Sequence, residues 1–133
     1  MRQGITIGVD LGDRKSHACV LDAQGEVCER FELRTTRAGL VKAFSGREPC
    51  RLALETGTHS GWVSRQLGEL GFEVVVANAR QVRLIGARDK KTDRLDAELL
   101  ARLARIDPRL LAPVTHCSAA VQADREILRA RGA

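Results

Sequence analysis

The spacing of the apolar residues changes character once along this chain, and that change limits the folds open to it. Up to Leu33 the apolar residues sit in strand-like runs. Ile5, Ile7 and Val9 alternate with Thr6, Gly8 and Asp10. A second run spans Ser16 to Leu21, and the turn sequence Asp22-Ala-Gln-Gly25 leads to a third, Val27 to Leu33. Alternation places successive side chains on opposite faces of a strand, so three antiparallel strands are expected first, with Gly25 taking the positive φ of a tight hairpin.

From Thr35 onward, helical and strand patterns take turns. Thr35 or Thr36 caps a short helix through Leu40, Val41 and Phe44, with Gly46 just beyond it, and Arg51 to Glu55 returns to strand. Thr58 or Ser60 starts a second helix carrying Trp62, Val63, Gln66, Leu67 and Leu70 on one face until Gly71, and Phe72 to Val76 makes a fifth strand. A basic connection, partly helical through Val82 to Ile85, leads into a long helix from Asp93 to Arg105. Leu95, Leu99 and Leu103 line its core side, with Leu100 flanking them. The order β-β-β-α-β-α-β-α is not that of a doubly wound nucleotide fold. The expected class is α/β, a mixed five-stranded sheet with flanking helices. Pro108 and Pro113 mark the end of the compact unit, giving a domain over 1–109. Residues 110–133 then form a linker and the start of a helical, coiled-coil-like segment from Ser118 to Arg131, which continues or pairs elsewhere.

A chain of 133 residues holds one such domain and a short extension; aromatics make up only 3% of it, so Leu, Val, Ile and Ala must fill the core. Cys19, Cys28, Cys50 and Cys117 show no CxxC spacing and His17, His59 and His116 are scattered, which argues against zinc and for reduced thiols. With no signal peptide and no apolar run near the ~20 residues that span a bilayer, a cytoplasmic protein without membrane contact is expected.

Against a net charge of +5, four acids stand out by their surroundings. Asp10 interrupts the first strand and Glu55 ends the strand that follows the first helix. Strands joined by a helical crossover commonly run parallel and adjacent, which brings these two together. Asp93 and Asp96 are three apart and share a helical face, from which they can converge on the strand ends. Gathered without counter-charge, such carboxylates would oppose folding. Hard divalent cations, Mg²⁺ with Mn²⁺ as a substitute, remove the penalty, and two ions about 4 Å apart promote phosphodiester cleavage or transfer. The structural alternatives are a helix cap at Asp93, a first-turn acid at Asp96, a turn at Asp10 and an arginine pair at Glu55.

The segments Gly8-Val-Asp-Leu-Gly12, Leu54-Glu-Thr-Gly57 and Lys91-Thr-Asp-Arg-Leu-Asp-Ala97 resemble the amino-terminal signatures of the DEDD insertion-sequence transposases, the bridge-RNA-guided recombinases. The likeness covers about residues 4 to 109. It implies a ribonuclease H-like, RuvC-like fold and a metal-binding catalytic tetrad of Asp10, Glu55, Asp93 and Asp96. It also implies DNA as substrate and a structured guide RNA as the source of target choice. Members carry a further carboxyl-terminal domain with a serine nucleophile, and this chain ends before such a domain could begin. Ser60 lacks the context of a hydrolase nucleophile and is expected to start a helix.

Arg80, Arg83, Arg88, Lys90, Lys91 and Arg94 precede or enter the acidic helix and are the expected phosphate contacts. Trp62 is expected to pack within its helix rather than stack on bases. Gly12, Gly57 and Gly61 are expected to relieve crowding near the site. Two other functions compete with DNA cleavage: a non-catalytic fragment that binds guide RNA or DNA, and a fragment of an actin-like or sugar-kinase ATPase. The second leaves the late pair of acids unexplained. Association between copies through the terminal helix is also expected.

Overall fold

The computed structural model describes residues 4–78 and 96–114. Three strands open the domain: β1 (Thr6–Asp10), β2 (Lys15–Leu21) and β3 (Val27–Arg34). Then come α1 (Arg37–Phe44), β4 (Arg51–Glu55), α2 (Ser60–Glu69), β5 (Glu73–Ala77), α3 (Ala97–Ile106) and a short 3-10 helix at Pro108–Leu111. The sheet order is β3-β2-β1-β4-β5. β1, β2 and β3 pair antiparallel, whereas β4 runs parallel to β1 and β5 parallel to β4. This is the mixed five-stranded, ribonuclease H-like arrangement that the resemblance implied.

The hairpin between β2 and β3 closes where Asp22 accepts backbone hydrogen bonds from Gln24 and Glu26 on one side-chain oxygen, and Gly25 takes φ 83° as its sequence foretold. Thr36, not Thr35, caps α1, its hydroxyl accepting from Gly39 N at 3.0 Å. Thr35 instead turns inward, and its hydroxyl meets that of Ser16 at 2.6 Å in a buried contact that ties the end of β3 to the start of β2.

The alternation along β1 sorts two layers of core. Ile7 and Val9 join Leu52, Leu54, Leu40, Phe44, Val63 and Leu67 in the cluster beneath α1 and α2. The opposite face is built for close approach. Gly8 lies beneath α3, where a β-carbon would fall 1.9 Å from the Ala97 carbonyl oxygen and 2.7 Å from Ala101 N. Ala53 and Ala77 complete a shallow floor on which Leu100 and Ala104 rest, and Ala97 and Ala101 pack with Cys19 and Leu21.

That floor corrects the expected orientation of α3. The residues it buries are Ala97, Leu100, Ala101 and Ala104, while Leu99 and Leu103 are only partly covered. Leucines every four residues define an apolar stripe, but a sheet surface of glycine and alanine admits a helix only by its smallest face. Beyond α3, Leu111 is fully buried and Val114 bridges Val76, so the packed body includes these residues.

Candidate active site

Asp10 and Glu55 end neighbouring parallel strands. The β1–β4 register runs to Val9 opposite Leu54, so one step further along each strand stand the two acids. Each follows a small residue on the same face two positions earlier, Gly8 and Ala53, and so belongs to the side of the sheet on which α3 lies. Both line a cleft of about 270 Å³ with Leu11, Gly12, Asp13, Thr56, Gly57, Thr58 and His59. A parallel sheet presents its ligand sites at the carboxyl ends of its strands, where the backbone leaves the sheet and side chains can converge.

The loops around the cleft are fixed from several directions. Gly12 N donates to Ser16 Oγ at 3.4 Å, and a β-carbon on Gly12 would sit 2.3 Å from the Lys15 carbonyl oxygen. Crowding explains that glycine. It does not explain Gly57, which has open space around it, or Gly61, whose nearest neighbour is at ordinary contact distance. After Glu55, Thr56 N donates to Ala77 O at 3.0 Å, continuing the β4–β5 ladder to the rim of the cleft. Ser60 is buried and bonds to the Gly57 backbone through both donor and acceptor roles of its hydroxyl, which is the helix-starting role expected of it.

Asp96 departs from the sequence expectation. Its backbone is extended (φ −76°, ψ 169°), α3 begins only at Ala97, and its side chain caps the helix by accepting from Leu99 N at 2.8 Å. Asp96 therefore lies on no face of α3, because it precedes the helix. A free N-terminal turn draws the nearest carboxylate to its exposed N–H groups. Asp93 lies outside the described residues, as do Arg80, Arg83, Arg88, Lys90, Lys91 and Arg94. Among the described residues no three His, Cys, Asp or Glu side chains gather as a metal-binding set. The part of the expected tetrad that the described residues bring together is Asp10 with Glu55, two hard oxygen donors, which with water suffice for the way Mg²⁺ is usually held.

His59 and Asp13 of the cleft carry no expectation from the sequence. His59 occupies the position before α2 without giving a side-chain cap. Its ring turns instead to Trp62, whose indole N–H donates to His59 Nδ1 at 3.0 Å, and to Asp13, whose Oδ1 is 3.4 Å from Nε2. The signal was present in Glu55-Thr-Gly-Thr-His59 followed by Trp62, since residues three apart at a helix start can meet. Trp62 does pack against the core, with the Arg37 guanidinium 5.8 Å from its ring centre.

The basic residues divide by location. Away from the cleft, Arg30 and Arg102 pair with Glu98, Arg47 with Glu29, Arg51 with Glu73 and Arg109 with Asp107. The Glu98 carboxyl is held below its ordinary range by hydrogen bonds from Arg102 and Arg30, and burial pushes the Cys19 thiol up. At the cleft end, Lys15 stands opposite Arg34 in the β2–β3 register, and Arg14 O accepts from Thr35 N between them. Arg14, Lys15, Arg34 and Arg37 are all exposed there.

The family model of a transposase, the DEDD type of IS110 insertion sequences, matches residues 7–132. This chain belongs to the DEDD transposase family. The match takes in both strand-end acids and Asp96, and extends through residues outside the described set.

A search of curated proteins found no match for this chain. Among solved structures, RuvC of T. thermophilus in complex with a Holliday junction substrate is similar at 14% identity, covering 78% of this chain and 96% of that one, with a TM-score of 0.46. A second Thermus thermophilus RuvC structure is similar at 16% identity, covering 86% and 83%, with a TM-score of 0.45. A ROK family glucokinase from Streptomyces griseus, in complex with glucose and AMPPNP, is similar at 21% identity with a TM-score of 0.41. That match covers 62% of this chain, which spans 36% of the glucokinase. Among the described residues, no helix is long and apolar enough to cross a membrane.

Proposed function

We propose that this chain is the amino-terminal nuclease part of a DNA transposase. Asp10 and Glu55, together with Asp93 and Asp96, would hold divalent metal, Mg²⁺ or Mn²⁺, for cleavage and exchange of DNA strands. The observation that carries the reading is the meeting of Asp10 and Glu55 in one cleft at the ends of β1 and β4. Two carboxylates at neighbouring strand ends repel one another unless a cation lies between or beside them. Bound there, the metal would supply charge neutralisation at the scissile phosphate and an activated water or hydroxyl.

The chain's own residues would set the geometry. β1 and β4 fix the spacing of the carboxylates, and the Ser16 hydroxyl holds the loop that leaves Asp10. Asp96 caps the start of α3, which lies on the same side of the sheet. Arg14, Lys15, Arg34 and Arg37 offer exposed positive charge at the cleft end, where a phosphate backbone leaving the carboxylates would pass. The residues from Arg80 to Arg94 would add to that track. Guide RNA as the reader of target sequence, a separate serine-bearing domain and association through residues 118–131 belong to the same reading.

The test is cleavage of labelled branched DNA by the chain, with and without Mg²⁺. Metal-dependent nicking that Asp10→Asn and Glu55→Gln abolish supports the reading. The exposed basic rim favours one second reading, a non-catalytic fragment that binds guide RNA or DNA. Tight binding without metal, unaffected by Asp10→Asn and with no nicking, would establish that instead. Specific ATP binding without affinity for nucleic acid would overturn both.

A further inference from the structure

We propose that His59 is a substrate-binding residue of this cleft, a neutral hydrogen-bond donor to a non-bridging phosphate oxygen, held in the required tautomer by Trp62. The proposal rests on the nucleic-acid reading of the site and adds a residue outside the acidic tetrad. An indole N–H can only donate, so the 3.0 Å bond from Trp62 Nε1 requires a bare lone pair on His59 Nδ1. The ring proton must then reside on Nε2, the nitrogen that faces Asp13. A second proton on Nδ1 would break the Trp62 bond, so the ring stays neutral while that bond stands.

Neutrality matters at this place. His59 lines the same cleft as Asp10 and Glu55, and an imidazolium there would compete with the cations those carboxylates are suited to hold. A neutral N–H can approach a metal-bound phosphate without that conflict. The ring is also well anchored. It is 26% exposed by side chain and stands edge-to-face with Trp62 at 5.9 Å between centres, while Gln66, one turn further along α2, donates to Arg37 O. Its present neighbour is not anchored: the Asp13 side chain is 91% exposed and its Oδ1 stands 3.4 Å from Nε2, a charge-pair distance. An incoming phosphate oxygen can replace that carboxylate without moving the ring. Asp13, which lines the same cleft, is then the group a phosphate oxygen displaces.

Two-bond ¹H–¹⁵N spectra of the imidazoles of the whole chain read the tautomer directly, with His59→Gln assigning the signal. The expected pattern is a bare Nδ1 and a protonated Nε2, lost in Trp62→Phe. Addition of a short DNA duplex with Mg²⁺ should shift the His59 Nε2 resonance. His59→Ala should weaken duplex binding about tenfold, and His59→Gln, which keeps an N–H donor, should recover much of it, with Mn²⁺ affinity unchanged in both. A protonated Nδ1 in the wild type would overturn the proposal before any ligand is added. If the duplex shifts cleft amides but leaves the His59 ring unmoved, this role for His59 is wrong while the nucleic-acid reading stands. If the duplex shifts nothing, that reading falls and the proposal falls with it.

Discussion

Replacing Gly8 with alanine should unseat α3 from the sheet. The added methyl would lie 1.9 Å from the Ala97 carbonyl oxygen, 2.7 Å from Ala101 N and 3.0 Å from Ala97 C, all backbone atoms that cannot rotate away. To restore an ordinary contact of 3.4 Å the start of α3 must retreat by roughly 1.5 Å. A gap of even ~0.5–1 Å forfeits a quarter to a half of each van der Waals well, and the loss is shared by Ala97, Leu100, Ala101 and Ala104. Overpacking in well-packed cores typically costs ~1–3 kcal/mol, and a clash with helix backbone belongs at or above the top of that range. We expect about 3 kcal/mol in urea denaturation and a fall in Tm of about 10 °C. Gly57→Ala is the matched control, because nothing lies within 4 Å of its added methyl. It should remain within ~0.5 kcal/mol of wild type. A Gly8→Ala protein as stable as that control would refute the account of how α3 docks.

Other outcomes follow from single contacts. Asp96→Ala should lose ~1 kcal/mol with the cap on Leu99 N, whereas Asp96→Asn should keep most of it; equal losses in thermal melts would argue against the capping role. Thr35→Val deprives the buried Ser16 hydroxyl of its 2.6 Å partner and should cost ~1–2 kcal/mol by urea titration, while an unchanged midpoint would show the pair to be dispensable. Glu98 has a folded pKa below its ordinary 4.5, so its stabilising contribution is complete above that value and fades as pH falls through the lowered folded pKa. The stability difference between wild type and Glu98→Gln should accordingly be flat from neutral pH down to about pH 5 and shrink in more acid solution; a difference that grows on acidification would reverse the assignment. Iodoacetamide at pH 8 should modify exposed Cys28 while leaving buried Cys19, with its raised pKa, intact until the protein unfolds, as peptide mass mapping can check.

Much of the fold was legible because β1 states its two faces in sequence. Ile7 and Val9 point to one layer, Thr6, Gly8 and Asp10 to the other, and the structure uses them so. Glu55 could be placed beside Asp10 because a helical crossover between β3 and β4 leaves β4 parallel to β1. The orientation of α3 was not legible in its own leucine spacing. It depends on Gly8 and Ala53, residues far away in sequence whose smallness selects the alanine face. The position of Asp96 ahead of the helix has a related cause: spacing of three describes a shared face only inside a helix, and a sequence does not state which acid will take the cap. His59 was passed over because an isolated histidine carries little signal, and its meaning comes from Trp62 and Asp13 on either side of the ring.

The central claim is that Asp10 and Glu55 form the metal-holding end of the sheet, and Mn²⁺ bound to crystals of the chain tests it most directly through its anomalous scattering. The account predicts a peak between these two carboxylates, weakened or lost in Asp10→Asn and in Glu55→Gln, with Mn²⁺ affinity in solution falling at least about tenfold in each. A peak elsewhere, or equal Mn²⁺ affinity in wild type and both variants, would contradict it.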